Sequence, residues 1–354
     1  MNAPRLIVPW LLVAASSAFA LDQNGNQQSD VWEMVFGASG LAASGDADGD
    51  GWSNASESAA GTNPFDGRSF PSLLLESQQG IALNFAWAGL AGKKYSLFTN
   101  PDLLSAWTLA APAVTGQGAT AHLQVALGGG NQRFFRLNIG DQDSDADGIN
   151  DWEERAVGFD ATRNRTDRDA QLDGARIPAG LTAANTITVA VYDDTCSERW
   201  PDPAVLVVRR AGGLQPLTVN VAIGGTATRG SDYTLSIPAN TVSFAPGVRE
   251  VFVEVNPIAD ADDAESAETI TLTALAGSVY TVSAQNSGTA TLLNETAASA
   301  PSAKAAARFL IQAAFGPDQD DAAQATGNRL DQRVDVCTLE QSAGNPHDVV
   351  EGNE

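Results

Sequence analysis

Histidine and cysteine are almost missing, with two of each in 354 residues. A nucleophile beside an imidazole base therefore has little to be built from: the histidines are His122 and His347. No Gly-x-Ser-x-Gly, His-Glu-x-x-His or phosphate-loop string occurs. Cys196 and Cys337 fall short of any zinc or CxxC pattern and argue against a disulfide scaffold, although export would permit one bond. Basic residues are scarce as well, 20 Lys and Arg against 43 Asp and Glu, for a net charge of −23. Such a field repels nucleic acid and anionic lipid and attracts cations. No apolar stretch reaches the roughly twenty residues that a transmembrane helix needs. Composition leaves a carboxylate-pair glycosidase open. The acids, however, sit at metal-ligand spacing, and the chain is expected not to be an enzyme.

The one extended apolar run lies at the start. Arg5 supplies a positive charge, Leu6 to Ala15 a short apolar stretch broken by Pro9, and Ala18-Phe19-Ala20 a small-x-small cleavage site. Residues 1–20 read as a cleaved signal peptide. The mature chain is then expected to begin at Leu21 and to be secreted, at the cell surface or in the periplasm.

The acids are clustered. Residues 21–66 carry eight Asp or Glu and no Lys or Arg, and residues 141–173 carry eleven acids against four Arg. A charge run is usually a solvated or disordered face, but the spacing here is that of a calcium loop. Calcium takes six to eight oxygens, which a twelve-residue loop supplies from positions 1, 3, 5, 9 and 12 and a backbone carbonyl at 7, with Gly at 6 for the turn. Asp46, Asp48, Asp50, Asn54 and Glu57 fit, with Gly51 at the turn. Asp143, Asp145, Asp147, Asp151 and Glu154 fit again, with Gly148. Asp22, Asn24, Asn26, Asp30 and Glu33 fit a third time, with Gln27 in place of the glycine. EF-hands carry their apolar residue at position 8; here Trp52 and Ile149 stand at position 7.

The stretches DADGDGWSNASE and DSDADGINDWEE, with Gly61-Thr62-Asn63-Pro64 trailing the first, resemble thrombospondin type 3 repeats. DQNGNQQSDVWE resembles the segment that leads such repeats in secreted bacterial proteins. The resemblance implies irregular chain wrapped around calcium with little apolar core, over 21–69 and 141–180, so that the metal supplies much of the folding energy. Chelation is then expected to unfold these segments first. Asp167, Asp169 and Asp173 look like a decayed further repeat, with Gln171 and Leu172 where Asp and Gly belong, and are not counted as a site.

Between the loops, residues 70–140 read as a small β-sandwich. IALNFAW, KKYSLFT, TAHLQVAL and RFFRLNI have strand length and alternation. YSLFTNPDLLSAW followed by RFFRL resembles immunoglobulin-like or fibronectin type III-like modules. Trp87, Tyr95, Trp107 and Phe134 suit a core better than a carbohydrate platform, and His122 has no evident partner. Over 185–295, TITVAVY, AVLVVRR, LTVNVAI, VREVFVEV and ETITLTAL recur with turn signals, arguing an antiparallel sandwich. GGTATRGSDY, TVSFAPG and IADADDAESAE resemble the Calx-beta domain, an immunoglobulin-type sandwich whose acidic end loops hold calcium in some members. The matching positions are Asp193, Asp232, Asp260, Glu265 and Glu268; Ala261 stands where the family often has a second Asp.

Residues 296–305 read as an Ala/Ser/Pro linker. Ser302 can cap a helix through AKAAARFLIQAAF, which Gly316-Pro317 ends, and AARFLIQAAFGP resembles the opening of an exported bacterial domain of unknown function, number eighteen hundred, assigned to 306–354; fewer than sixty residues remain for it. The expected fold class is mostly β: two sandwiches, calcium-wrapped Asp-rich repeats and a short α-helical C-terminal start. The expected function is calcium ion binding in a secreted or cell-surface adhesion or spacer module, with extracellular polysaccharide or other surface proteins as candidate partners. The alternative is a calcium-stabilised stalk that positions a larger C-terminal domain.

Overall fold

The computed structural model describes residues 20–127, 133–166, 171–198, 202–259 and 266–293. Residues 1–19 of the expected leader, Asp167, Asp169, Asp260, Glu265, Cys337, His347, the expected linker and the expected C-terminal helix lie outside the described residues. Two helices come first, α1 (Asp30–Phe36) and α2 (Asn54–Ala60). Strands β1 (Leu74–Gln79), β2 (Ala82–Gly89), β3 (Lys93–Asn100), β4 (Thr108–Leu109), β5 (Val114–Thr115), β6 (Ala119–Ala126) and β7 (Phe134–Asp141) follow. After α3 (Asp151–Ala156) and α4 (Asp173–Gly180) come β8 (Asn185–Asp193), β9 (Thr195–Ser197), β10 (Ala204–Ala211), β11 (Leu217–Gly225) and β12 (Tyr233–Leu235). The last described strands are β13 (Thr241–Phe244), β14 (Glu250–Pro257), β15 (Glu268–Ala274), β16 (Tyr280–Val282) and β17 (Ser287–Leu293). The fold is mostly β, as the sequence pattern requires.

The first seven strands make two small sheets, β1-β2-β6 and β4-β3-β5, with β7 paired to β3. Alternation places Leu83, Phe85 and Trp87 of β2, Tyr95 and Leu97 of β3, and Leu137 and Ile139 of β7 in one core. Trp87, Tyr95 and Phe134 are buried, as a small sandwich demands, while Trp107 is half-buried with the Arg136 guanidinium 4.7 Å from its ring. His122 does have a partner: it is exposed, and its Nδ1 lies 3.0 Å from Glu76 Oε2.

The later strands form two five-stranded sheets, β12-β14-β10-β8-β16 and β13-β11-β15-β17-β9. Ile187, Leu206, Val219, Val253, Ile270 and Leu272 all lie in the core that they enclose. The sheets are not wholly antiparallel: β16 runs parallel to β8, and β17 parallel to β9. These edge pairings come from chain segments too short to carry an alternation signal.

The Asp-rich segments depart furthest from expectation, for they share an apolar core of their own. Val31, Trp32 and Ala38 from the first segment meet Ile149, Trp152, Val157, Phe159, Ile177 and Leu181 from the second, together with Leu214 of the large sandwich. Neither segment has enough apolar residues to bury by itself; the small sandwich, inserted between them, brings both together. Trp152 sits at the centre. A Cβ on Gly61 would lie 2.8 Å from its Nε1, one on Gly92 would lie 2.4 Å from its backbone nitrogen, and Lys93 Nζ stands 5.1 Å from its ring. Lys93 is itself buried and paired with Asp141 at 2.6 Å. On the far side, a Cβ on Gly247 would meet Val157 O at 1.8 Å, and Leu214 N donates to Gly180 O at 2.9 Å.

This packing predicts different costs for two glycines in similar backbone. Gly80 (φ +62°) faces open space, whereas Gly92 (φ +84°) abuts Trp152. Gly80→Ala should cost about 1 kcal/mol through left-handed strain alone, and Gly92→Ala at least twice as much. Thermal unfolding of the two variants checks this; equal shifts would mean that Trp152 does not bind the two segments to the small sandwich.

Candidate metal centres

All three Asp-rich loops are built on one backbone ladder. Position 1 accepts from the N–H groups of positions 4 and 6: Asp22 from Gly25 (2.7 Å) and Gln27 (2.9 Å), Asp46 from Gly49 (2.8 Å) and Gly51 (2.9 Å), Asp143 from Ala146 (2.7 Å) and Gly148 (3.1 Å). Position 3 accepts from position 5, and position 5 from position 7, in each loop. Positions 4 and 6 are left-handed throughout, even where the residue is Gln27 (φ 70°) or Ala146 (φ 61°). Positions 9 to 12 then form the first turn of α1, α2 or α3, capped by the side chains of Ser29, Ser53 and Asn150 at position 8. The ladder occupies one oxygen of each Asp at positions 3 and 5 and turns the other inward.

What converges there differs between loops. In the second, oxygens of Asp46, Asp48 and Asp50 lie within 4.8 Å of one another. Asp48 Oδ2, Asp50 Oδ2, Asn54 Oδ1 and Glu57 Oε2 are buried without a hydrogen-bond partner. In the third, Asp143, Asp145 and Asp147 form one grouping and Asp147, Glu154 and Asp173 another. Asp145 Oδ2, both oxygens of Glu154 and Asp173 Oδ1 are buried and unpartnered. In the first loop the amides of Asn24 and Asn26 donate to Asp30 and Glu33 at 2.8–3.1 Å, so the loop is closed by its own hydrogen bonds.

Asp173 was missed as a site residue because the decayed repeat has a different register. Its N–H donates to Asn164 O as those of Asp30 and Asp151 donate to Leu21 O and Gln142 O. Its Oδ2 accepts from Thr166 N at 2.7 Å, as Asp30 and Asp151 accept from Gln23 and Ser144. Asp173 is therefore position 9 of a loop that opens at Arg165 and closes at Arg176, two positions before the start that the acids suggest. Asp147 Oδ2 reaches across to accept from Gly174 N at 2.6 Å. Asp151, by contrast, spends both oxygens on Ser144, each at 2.7 Å, and stands outside both groupings. The backbone register linking Asp173 to its neighbours carries this signal; acid spacing alone does not.

The large sandwich gathers acids at one end. Asp193 closes β8 opposite Val205, Tyr233 beside Asp232 pairs with Pro257, and Glu268 opens β15 opposite Leu292, whose other neighbour is Cys196. Asp232 accepts from Thr228 N at 2.6 Å. Glu198 and Asp202, which the sequence reading passed over, are buried at the same end. Among the described residues no tight acidic grouping forms there.

Burial and mutual repulsion dominate the electrostatics of the loops. Glu154 is pushed from 4.5 up to about 9 by burial and then by Asp145, Asp147 and Asp173. Burial, followed by Asp48 and Asp50, takes Glu57 to about 7; burial and Asp147 take Asp145 to about 6. Buried carboxylates with no donor facing them carry a large desolvation cost, and a divalent cation offsets it where hydrogen bonds do not. All-oxygen donor sets of this size suit calcium better than magnesium or zinc. The residues present therefore fit the ion, which would draw its charge-neutralising ligands from Asp46, Asp48, Asp50 and Glu57 in one loop and from Asp143, Asp145, Asp147 and Glu154 in the other, joined there by Asp173 of the following repeat.

No family model and no curated protein matches the chain. Among solved structures it is similar to the apo-form Calx CBD1 domain (20% identity, TM-score 0.27, covering 32% of this chain and 99% of that one). It is also similar to the Calx CBD2 domain (15%, TM-score 0.23, 36% and 93%) and to the Yersinia pseudotuberculosis adhesin InvE (14%, TM-score 0.21, 60% and 54%). The metal assignment stands on the loop geometry.

The raised carboxyls give a pH dependence of definite sign. A folded-state pKa above its unfolded value means that the folded chain binds more protons, so stability falls as pH rises between the two. For the metal-free protein the windows run from 4.5 to about 7 for Glu57 and to about 9 for Glu154. In chelator, the transition of the Asp-rich core should therefore occur at higher temperature at pH 5 than at pH 8.5. Saturating calcium should remove or reverse that order, and scanning calorimetry at the two pH values reads it directly.

Proposed function

We propose that this chain is an exported, non-catalytic calcium-binding module whose ions rigidify the joint between its two sandwiches. The observation that carries the reading is the set of buried, unpartnered carboxylate oxygens on Asp48, Asp50, Glu57, Asp145, Glu154 and Asp173. Glu57, Glu154 and Asp173 stand on α2, α3 and α4, and Asp48, Asp50 and Asp145 on the loops that lead into α2 and α3; α3 and α4 also carry Trp152 and Ile177 into the shared core. Holding them with calcium fixes α2 and α3, and through Asp173 it fixes α4, which leads into β8. The physiological role is that of a spacer or adhesion module at the cell surface, where extracellular calcium keeps the arms in a set orientation.

Export is supported by the small-x-small site at Ala18-Phe19-Ala20, and among the described residues no helix is long and apolar enough to cross a membrane. A non-catalytic role accords with the residues available for chemistry. Cys196 is buried, which pushes its thiol up to about 11, and His122 is exposed on a strand with Glu76. A second reading, a stalk for a larger C-terminal domain, is favoured by the linker and the string AARFLIQAAFGP beyond the last described strand.

Titration calorimetry on the chain from Leu21 onward tests the reading. At least two calcium ions should bind, with magnesium competing poorly because it demands a tight octahedron and dehydrates reluctantly. Asp173→Asn should weaken one site by about tenfold or more, about 1.4 kcal/mol, whereas Asp151→Asn, which removes a group already committed to Ser144, should weaken it less. Heat no greater with calcium than with potassium would sink the proposal.

A further inference from the structure

Leu21, the residue after the expected cleavage point, is fixed in the structure at every point of attachment. Its carbonyl accepts from Asp30 N at 2.7 Å, and its side chain packs on the core shared by the two Asp-rich segments. Its backbone nitrogen lies 2.9 Å from Oε1 of Glu153, a residue 132 positions away on α3. Glu153 is completely buried. Ser29 Oγ donates to the same Oε1 at 2.5 Å, while Oε2 is buried with no hydrogen-bond partner. Lys93, whose charge reaches Glu153, is paired directly with Asp141 at 2.6 Å. Ala20, Asp22, Ser29 and Asp141 line a depression at the place where the chain enters.

In the unprocessed chain the Leu21 nitrogen is a peptide amide, with one N–H and no charge. Hydrolysis of the Ala20–Leu21 bond consumes one water: the C–N bond breaks, the hydroxyl goes to the Ala20 carbonyl carbon, and Leu21 keeps a primary amine that is protonated at neutral pH. The amine then has three donors and a unit positive charge where one neutral donor stood. A buried carboxylate next to it gains an opposite charge and a donor for its unpartnered oxygen.

We propose that removal of the leader creates a buried ion pair between the new α-ammonium of Leu21 and Glu153, which locks the Asp-rich core only in the processed chain. The inference rests on the reading of residues 1–20 as a cleaved leader. Through it, cleavage becomes a folding signal: α3, which carries the candidate ligand Glu154 beside Glu153, closes fully only once the chain has been exported. Retention of the leader leaves Glu153 hydrogen-bonded only to neutral donors, the Leu21 N–H and the Ser29 hydroxyl, so the precursor is the looser form.

Three chains test this in saturating calcium: one released from a cleavable fusion with Leu21 first, one retaining Ala20, and the exported protein, whose first residue is read by intact mass. The Leu21 chain should melt several degrees above the Ala20 chain, and Glu153→Gln in both should abolish the gap. As a check that needs no variant to fold, the α-amine of the folded Leu21 chain should react with an acylating reagent at least tenfold more slowly than that of a peptide spanning 21–30. Equal melting, a gap that survives Glu153→Gln, or peptide-like acylation would overturn the ion pair. An exported chain that begins elsewhere would overturn the leader reading itself, a failure separable from the others by mass alone.

Discussion

The structure depends on carboxylates that burial has stripped of partners. Glu57, Glu154 and Asp173 are completely buried, and each leaves at least one oxygen facing other acids instead of a donor. A folded protein ordinarily satisfies such groups with N–H donors or excludes them from its interior. Here the loop ladder spends backbone N–H groups on both oxygens of the Asp at position 1 and on one oxygen of each Asp at positions 3 and 5, and presents the rest to a common point. The arrangement is self-consistent with a cation at that point and costly without one. Everything around it, from the left-handed turn residues to the capped first turns of α2 and α3, keeps those oxygens converged.

The second constraint is packing, and it links the loops to the sandwiches. The helices that carry position 12 also carry Trp32 and Trp152 into the shared core. The Trp32 indole donates to Thr62 O at 2.7 Å, and Ser29 N to Ser58 Oγ at 2.8 Å, which ties α1 to α2 and its C-terminal turn. Arg249 and Arg176 flank the ring of Phe159 at 5.3 and 5.5 Å, joining the second segment to the large sandwich. Calcium and apolar burial therefore meet on α3 and α4, which carry Glu154 and Asp173 as well as Trp152 and Ile177.

Much of this was legible in the sequence. Strands with long alternation, such as β2, β8 and β14, follow from their pattern because one face of each is buried. The loop positions follow from acid spacing because the ladder needs a side-chain acceptor at positions 1, 3 and 5. Three things were not legible. The shared core escaped notice because its residues come from segments separated by an entire sandwich, each apolar-poor alone. Asp173 was set aside because its register is marked by backbone bonds to Asn164 and Thr166, which leave no trace in residue identity. The first loop matches the ligand spacing as closely as the others, yet Asn24 and Asn26 bring their own donors and close it without help. An amide in place of a carboxylate reads as a conservative change but reverses the electrostatics.

The most direct measurement is anomalous diffraction from crystals of the processed chain grown with calcium or a lanthanide. The account predicts two peaks, one within reach of Asp46, Asp48, Asp50 and Glu57, the other among Asp145, Asp147, Glu154 and Asp173. Density that leaves Glu154 and Asp173 without a metal while the loops keep this conformation would contradict it.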